Sequence, residues 1–296
     1  MHSHFGENMP TLNHNPSLLI DRSIEIPSIP MVLTKIIQAL DDDSISARQL
    51  EELILHDPSL SARILKLANS AFYSFRTEVK TLSHAIALLG LGLVKSLAIG
   101  VTIFESFTKG MKSETNLINK LWMHSFGAGM LTQEIWNKRA QNRKEAELAF
   151  LCGLLHDIGK VVFFKKAPMH YSTLFSQEKP AGEPDLCSLE VDIFGMDHAH
   201  VGAVLAEKWG FPQELIKTIQ FHHSPLDTDL KLVAAISLAD QIARQTPIGF
   251  DGDISDCLSS EDIQAKLAMP SEEYQQLAAL AENKSQEIKK FFERIQ

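Results

Sequence analysis

From Pro27 onward, the apolar residues of this chain recur at the spacing of helices almost without a break. That regularity is hard to place on a strand, whose side chains alternate between two faces. Met31-Val32, Ile36 and Leu40 trace a first helix, closed by the acidic turn Asp41-Asp42-Asp43. Ser46 with Gln49 three residues later is a capping-box start for a helix through Leu55. His56-Asp57-Pro58 breaks it, and Pro58 opens the next helix, SLSARILKLANSAFY. Asp57 reads there as a helix cap rather than a metal ligand, because no other histidine lies at helical spacing around it. Thr81 to Leu89 and Leu93 to Phe107 follow as two apolar helices separated by Gly90 and Gly92, and this half shows no alternating strand.

Thr108 to Ser113 is a short polar connection and the best candidate for a subdomain boundary. Beyond it, a helix from Glu114 to Lys138 carries Leu117, Leu121, His124, Ala128, Leu131 and Ile135 on one buried stripe, with His124 in its middle. The polar linker AQNRKEAE leads into LAFLCGLLHDIGK, Leu148 to Lys160. Ala149, Cys152, Gly153 and His156 share one helical face of small side chains, so another helix can come close and His156 points inward. Gly159 is read as the stop of this helix, and Asp157 lies about 100° round from His156, so both reach one site.

Residues 165–190 are rich in proline and charge and read as a loop-dominated insertion with a short helix. At Asp197 a helix begins, DHAHVGAVLAEKWG, stopped by Gly210 and Pro212. His198 shares its apolar face with Gly202, Leu205 and Trp209, whereas His200 shares a mixed face with Val204, Glu207 and Lys208. His198 is therefore the ligand candidate and His200 the surface residue. In PQELIKTIQFHH, Leu215, Ile219 and His222 align, as do Ile216 and His223. A helix from Leu230 to Arg244 sets Asp240 on an apolar face with Val233, Ile236 and Ala243. The acidic linker GFDGDISD and two amphipathic helices, capped near Ser259 and Ser271, complete the chain.

Composition narrows the function classes. A hydrophobic content of 45% and a charged content of 22% over 296 residues supply ample core for a soluble protein. The net charge of −9 and pI of about 5.7 advertise no basic surface for nucleic acid. The apolar run Leu88 to Phe104 is interrupted by Lys95, Ser96 and glycines, which suits a core helix better than a membrane span. The N-terminus, with His2, His4 and His14, has no signal-peptide pattern and reads as a loose lead-in. Cys152, Cys187 and Cys257 are odd in number, far apart and without a CxxC pair, as expected of free thiols in a reducing, cytoplasmic setting.

Five helices thus turn a His or Asp inward: His124, His156-Asp157, His198, His222-His223 and Asp240. One such histidine is ordinarily a hydrogen-bonded core residue, but seven residues in consecutive helices of one segment are hard to explain that way. Buried carboxylates beside imidazoles are costly unless a cation pairs with them. Imidazole and carboxylate suit iron, manganese, zinc or nickel better than calcium. The lack of cysteine ligands argues against a closed structural zinc site. Seven ligands are enough for two ions bridged by Asp157, and two such ions clamp a phosphoryl group and make hydroxide from water near neutral pH. Lys160 on the same turn either meets a phosphate oxygen or is a solvated helix-end cation.

These stretches resemble the HDOD branch of the HD superfamily of metal-dependent phosphohydrolases. IPSIPMVLTKIIQAL, ILHDPSLSARILKLANSAFY and AIALLGL resemble the HDOD helical lead-in, while LWMHS, LLHDIGK, DHAHVGAVLAEKWGFP and FHHSP resemble its HD-type half. Together they cover roughly residues 22 to 245. The resemblance implies an all-α fold of two helical lobes and a bacterial signalling or regulatory role. On it, residues 1–21 are the lead-in, 22–110 the N-terminal lobe, 111–245 the metal-site lobe and 246–296 a C-terminal helical extension. The superfamily's metal positions fall on His124, His156, Asp157, His198, His222, His223 and Asp240, with Asp157 and Lys160 as catalytic candidates. HD-GYP phosphodiesterases are related, but SPLDTDL stands here where their GYP motif follows the paired histidines. Lys120 stands where some of them carry a third-metal Glu, so two ions rather than three are expected.

Three functions compete. The chain is a regulatory HDOD protein that keeps a dinuclear site, an active phosphohydrolase or phosphodiesterase on a nucleotide or cyclic dinucleotide, or a metal-free helical adaptor. The expected partner is a signalling protein or a phosphate-containing small molecule, with no nucleic acid and no membrane.

Overall fold

The structure, a computed structural model, describes residues 29–41, 45–70, 73, 75–108, 115–140, 143–175, 184–250 and 259–295. The lead-in with His2, His4 and His14, the boundaries expected at 21/22 and 110/111, residues 109–113, the linker at 251–256 and Cys257 lie outside them. Among the described residues, every regular element is a helix: α1 (Met31–Asp41), α2 (Ala47–Leu55), α3 (Pro58–Ala68), α4 (Leu82–Leu89), α5 (Leu91–Thr108), α6 (Thr115–Asn137), α7 (Arg143–Leu155), α8 (Ile158–Lys166), α9 (Pro168–Thr173), α10 (Leu186–Phe194), α11 (His198–Lys208), α12 (Gln213–Phe221), α13 (Lys231–Arg244), α14 (Ser260–Lys266) and α15 (Ser271–Ile295).

Local signals set six of the helix starts. The capping box at Ser46 and Gln49 is formed in both directions, and Asp57 caps α3 by accepting from the Ser59 and Leu60 amides. Thr81, Asp185, Asp197 and Ser259 cap α4, α10, α11 and α14 in the same way. Each satisfies an amide that the first turn of a helix leaves without a partner.

Four boundaries differ from the sequence expectation. The α3 helix ends at Ala68 rather than running to Tyr73. Asn69 ends it by donating to the Leu65 and Val79 carbonyls and accepting from the Val79 amide, which ties the chain back on itself. Gly92 lies inside α5, and only Gly90, at φ 92°, separates α4 from α5. Residues 165–175 and 184–190 are mostly helical, because Phe163, Phe164, Tyr171 and Phe194 form a buried aromatic cluster that outweighs the surrounding charge. Residues 176–183 lie outside the described set. The fourth difference is at Gly159, which does not stop a helix: α7 ends at Leu155, and Gly159 is the second residue of α8.

One contiguous core runs from Leu33 of α1 to Phe292 of α15. The centre of its second half is α6, which packs against α7, α13 and α15. Phe292 of α15 meets Trp122 and Phe126 of α6 edge to face, and Arg139 joins Glu273 at 2.8 Å, so α15 lies along α6. The α13 helix is buried on every side, as its apolar composition requires. Among the described residues no single helix is long and apolar enough to cross a membrane, and α4 and α5 meet at a 118° bend.

Candidate metal centre

Two glycine contacts grip the stretch from Leu148 to Lys160. Before the His-Asp pair, a Cβ on Gly153 would lie 2.8 Å from Gly129 Cα and 2.9 Å from the Ala128 carbonyl oxygen, so α7 rests on the backbone of α6. That contact brings His124 of α6 opposite His156. After the pair, a Cβ on Gly159 would lie 1.9 Å from the His198 carbonyl oxygen and 2.9 Å from the Gly202 amide. Here α8 rests on the first turn of α11 and brings His198 to Asp157. Between the two contacts the chain breaks, with Asp157 at φ −97° and ψ 12°. The pair therefore projects from a helix break rather than from a continuous helix with a fixed angular offset.

The structure brings all seven candidate residues together. His124, His156, Asp157, His198, His222 and Asp240 are each at most 4% exposed, and His223 is half-buried. They divide into two clusters that share Asp157. Toward Oδ2 of Asp157 lie His124 Nε2 at 3.8 Å and His156 Nε2 at 3.4 Å, with Asp240 Oδ1 3.0 Å from His124 and 3.8 Å from His156. Toward Oδ1 lie His198 Nε2 at 3.2 Å and His222 Nε2 at 3.6 Å, and His223 Nε2 is 2.8 Å from His198 Nε2. Both His124-His156-Asp157 and Asp157-His198-His222-His223 have one ligand atom per residue within 4.8 Å of all the others. His200 is exposed and turns to Asp197. His56 lies at the C-terminal cap of α2.

These spacings fit ions between the side chains. Two ligands at about 2.1 Å from one ion stand about 3.0–3.4 Å apart in octahedral or tetrahedral geometry, and the separations above, from 2.8 to 3.8 Å, bracket that range. The imidazoles are also aimed correctly. His156 and His222 each direct Nδ1 to a peptide carbonyl, Gly153 at 2.7 Å and Ile219 at 2.6 Å, which leaves Nε2 pointing at the centre. Ser237 of α13 donates to the His222 carbonyl and fixes the end of α12. His156 Nε2, His222 Nε2 and Asp157 Oδ1 are buried without a hydrogen-bond partner. Buried polar atoms are rarely left so, and a cation at each cluster would satisfy all three.

The electrostatics agree. Burial alone would push His156 and His198 toward the neutral form. Against that, Asp157 and Asp240 raise His156 above its usual value, and Glu190 and Asp157 raise His198 to about 10. His222 is held below its ordinary range, chiefly by burial. Burial would raise the carboxyl groups of Asp157 and Asp240, yet both are held well below the usual carboxylate range. His156 and Lys160 do this for Asp157, and Arg244 followed by His124 and His156 for Asp240. Negative charge at the centre thus attracts positive charge onto the imidazoles, the role a metal ion takes over.

Lys160 is 1% exposed, with Nζ 2.8 Å from Asp157 Oδ2 and 5.6 Å from the Phe250 ring centroid. The solvated helix-end alternative does not hold, because α8 starts before this residue and carries it into the core. Two charged residues at the centre were missed from sequence. Glu190 is fully buried against His198, and Arg244 Nη2 stands 3.3 Å from Asp240 Oδ2. The signal for Glu190 was its place on the Leu186, Glu190, Ile193 and Phe194 stripe of α10, the same pattern that singles out Asp240. Arg244 falls one helical turn after Asp240. Among the described residues, neither Cys152 nor Cys187 forms a disulfide.

Comparison with known proteins places this geometry. An uncharacterized protein from Treponema pallidum (strain Nichols) is 27% identical over 206 residues, 70% of this chain and 39% of that protein. A Ribonuclease Y from Mesoplasma florum is 22% identical over 214 residues, 72% of this chain and 35% of that protein. The chain therefore spans well under half the length of these curated relatives. An HDOD domain protein of unknown function from Geobacter sulfurreducens superposes with a TM-score of 0.73 at 25% identity, over 91% of this chain and 93% of that one. A candidate phosphohydrolase from Shewanella amazonensis SB2B superposes with a TM-score of 0.69 at 25% identity, over 90% of this chain and 95% of that one. The HDOD domain family model matches residues 26–225, about two thirds of the sequence and all of the centre except Asp240. The chain belongs to the HDOD domain family.

Proposed function

We propose that the seven residues hold two divalent transition-metal ions bridged by Asp157, and that the chain is a bacterial signalling protein built around this HD phosphohydrolase-type centre. The carrying observation is the division of Asp157, whose two oxygens face two separate sets of imidazoles. One carboxylate shared in this way is how a dinuclear site keeps its ions a few ångströms apart. His124, His156 and Asp240 complete one half, and His198, His222 and His223 the other. When bound, two such ions supply Lewis acidity toward a phosphoryl oxygen and lower the pKa of water. Iron, manganese, nickel and zinc all suit this nitrogen and oxygen set. Its partner is a signalling protein or a phosphate-containing small molecule.

A second reading, an active phosphohydrolase or phosphodiesterase, is favoured by a specific observation. All seven candidate ligands meet at the centre, and Lys160 pairs with the Asp157 oxygen that faces the His124 and His156 half. In that reading Lys160 holds Asp157 ionised and its charge bears on a substrate phosphate, while Arg244 orients Asp240. The Ribonuclease Y relatives, named for action on RNA, support a phosphodiester as the substrate class.

The test is elemental analysis of the freshly purified chain, followed by assay on bis-p-nitrophenyl phosphate. Two ions per chain with turnover support the catalytic reading. Two ions without turnover leave the signalling reading alone. No metal, even after incubation with iron or manganese, would sink both.

A further inference from the structure

The two halves of the centre are built from unlike histidines. His156 and His222 direct Nδ1 to peptide carbonyls, which are neutral acceptors. His198 directs Nδ1 to a carboxylate, Glu190 Oε2, at 2.6 Å. The same oxygen accepts the His198 backbone N–H at 2.7 Å, one of the amides at the start of α11 that has no partner within its own helix. The other oxygen, Oε1, accepts the Tyr171 hydroxyl at 2.5 Å, and Tyr171 is itself fully buried in the aromatic cluster of α8, α9 and α10. An ionised carboxylate can only accept, so Nδ1 of His198 must carry the proton and Nε2 must face the centre.

We propose that Glu190, held in place by Tyr171, is the positioning residue of the His198 half of the centre, and that its charge strengthens His198 as a metal ligand. This rests on the dinuclear reading above. A carboxylate behind an imidazole fixes the tautomer and ring orientation and raises ligand basicity. Glu190 is buried with no exposed surface, and its partners in the structure are His198 and Tyr171. A buried, fully paired carboxylate adds little net stability, because desolvation offsets its attractions. Supporting a ligand that faces a cation explains it. Glu190 meets His198 at Nδ1, on the far side of the ring from the Nε2 that faces the centre, so it acts through His198.

The experiment compares the full chain with its Glu190→Gln and Tyr171→Phe variants, each stripped of metal and titrated with Co(II) against a competing chelator. The visible d–d absorption reports each ion as it is taken up. Glutamine keeps the shape and the acceptor for His198 but removes the charge. The expected result is that Glu190→Gln weakens one of the two Co(II) affinities by about 10–100-fold and leaves the other unchanged, with a smaller shift of the same affinity in Tyr171→Phe. A residue serving stability alone would lower the melting temperature and leave both affinities intact, and that outcome in a folded variant overturns the proposal. Nitrogen NMR of the metal-free wild type gives a reading independent of uptake. An Nδ1-bound proton on His198 is expected, and a neutral His198 carrying its proton on Nε2 overturns the proposal. If the wild type takes up no Co(II), the dinuclear reading fails and takes this inference with it, a result visible in the control before any variant is examined.

Discussion

Asp157→Ala is expected to remove both ions from the chain at once, because each half of the centre borrows one of its oxygens. No other residue among the seven belongs to both clusters. Metal content measured on the purified variant should fall from about two ions per chain to none, the stoichiometry a shared carboxylate implies. Any phosphodiester turnover should vanish with it. The same change breaks the buried pair that Asp157 makes with Lys160. Removing one member of a buried ion pair costs about 3–5 kcal/mol, so denaturant unfolding of Asp157→Ala should show a loss of that order beyond the lost metal. Asp157→Asn combined with Lys160→Met separates the two effects by replacing both charges with neutral groups of similar size. That double variant should stay empty of metal while recovering most of the stability of the metal-free wild type. A double variant that still binds two ions would refute the bridging role.

Gly159→Ala is the second change with a large expected effect. The new Cβ would meet the His198 carbonyl oxygen at 1.9 Å and its carbon at 2.8 Å. Both are main-chain atoms, so no rotamer change relieves the clash and α8 must move away from α11. Overpacking typically costs about 1–3 kcal/mol, and a backbone-on-backbone clash belongs at or above the top of that range. The same displacement pulls Asp157 from His198, so affinity at the His198 half should fall together with stability. Gly210→Ala is the control. Gly210 sits at φ 77° with nothing within 4 Å of a new Cβ, so only the left-handed backbone is penalised. That costs about 1–2 kcal/mol and should leave metal affinity unchanged. Equal effects of the two substitutions on metal affinity would show that the close contact does not set the site.

Helical periodicity and caps made most of the architecture legible. Ser46, Asp57, Thr81, Asp197 and Ser259 announce helix starts by chemistry that needs no tertiary partner. The inward histidines were legible because each shares a face with apolar residues that must be buried. Gly159 misled because one residue type serves two purposes. Its missing side chain ends helices in many chains, whereas here it admits α11, and only the partner's position tells the two apart. Lys160 was ambiguous for a similar reason, since burial of a lysine depends on a carboxylate from its own turn and on Phe250 from a distant segment. Glu190 fell at the end of a stretch read as a proline- and charge-rich loop, and Arg244 at the last turn of its helix beside Gln245 and Thr246, which drew attention away from both. Their roles depend on contacts across helix junctions, which spacing alone does not reveal.

The glycine contacts at Gly153 and Gly159 also bear on the entropy of ligand capture. A site hung on long side chains between helices must freeze many rotamers when an ion arrives, and that ordering reduces affinity. Here main chain of one helix rests on main chain of the next on both sides of the His-Asp pair, and the Thr132 side chain also closes on Gly153. His156, His198 and His222 are oriented by hydrogen bonds to peptide carbonyls or to Glu190 on their Nδ1 side. Abutting helix backbones and short, hydrogen-bonded ligands therefore leave the centre few rotamers to freeze when an ion binds.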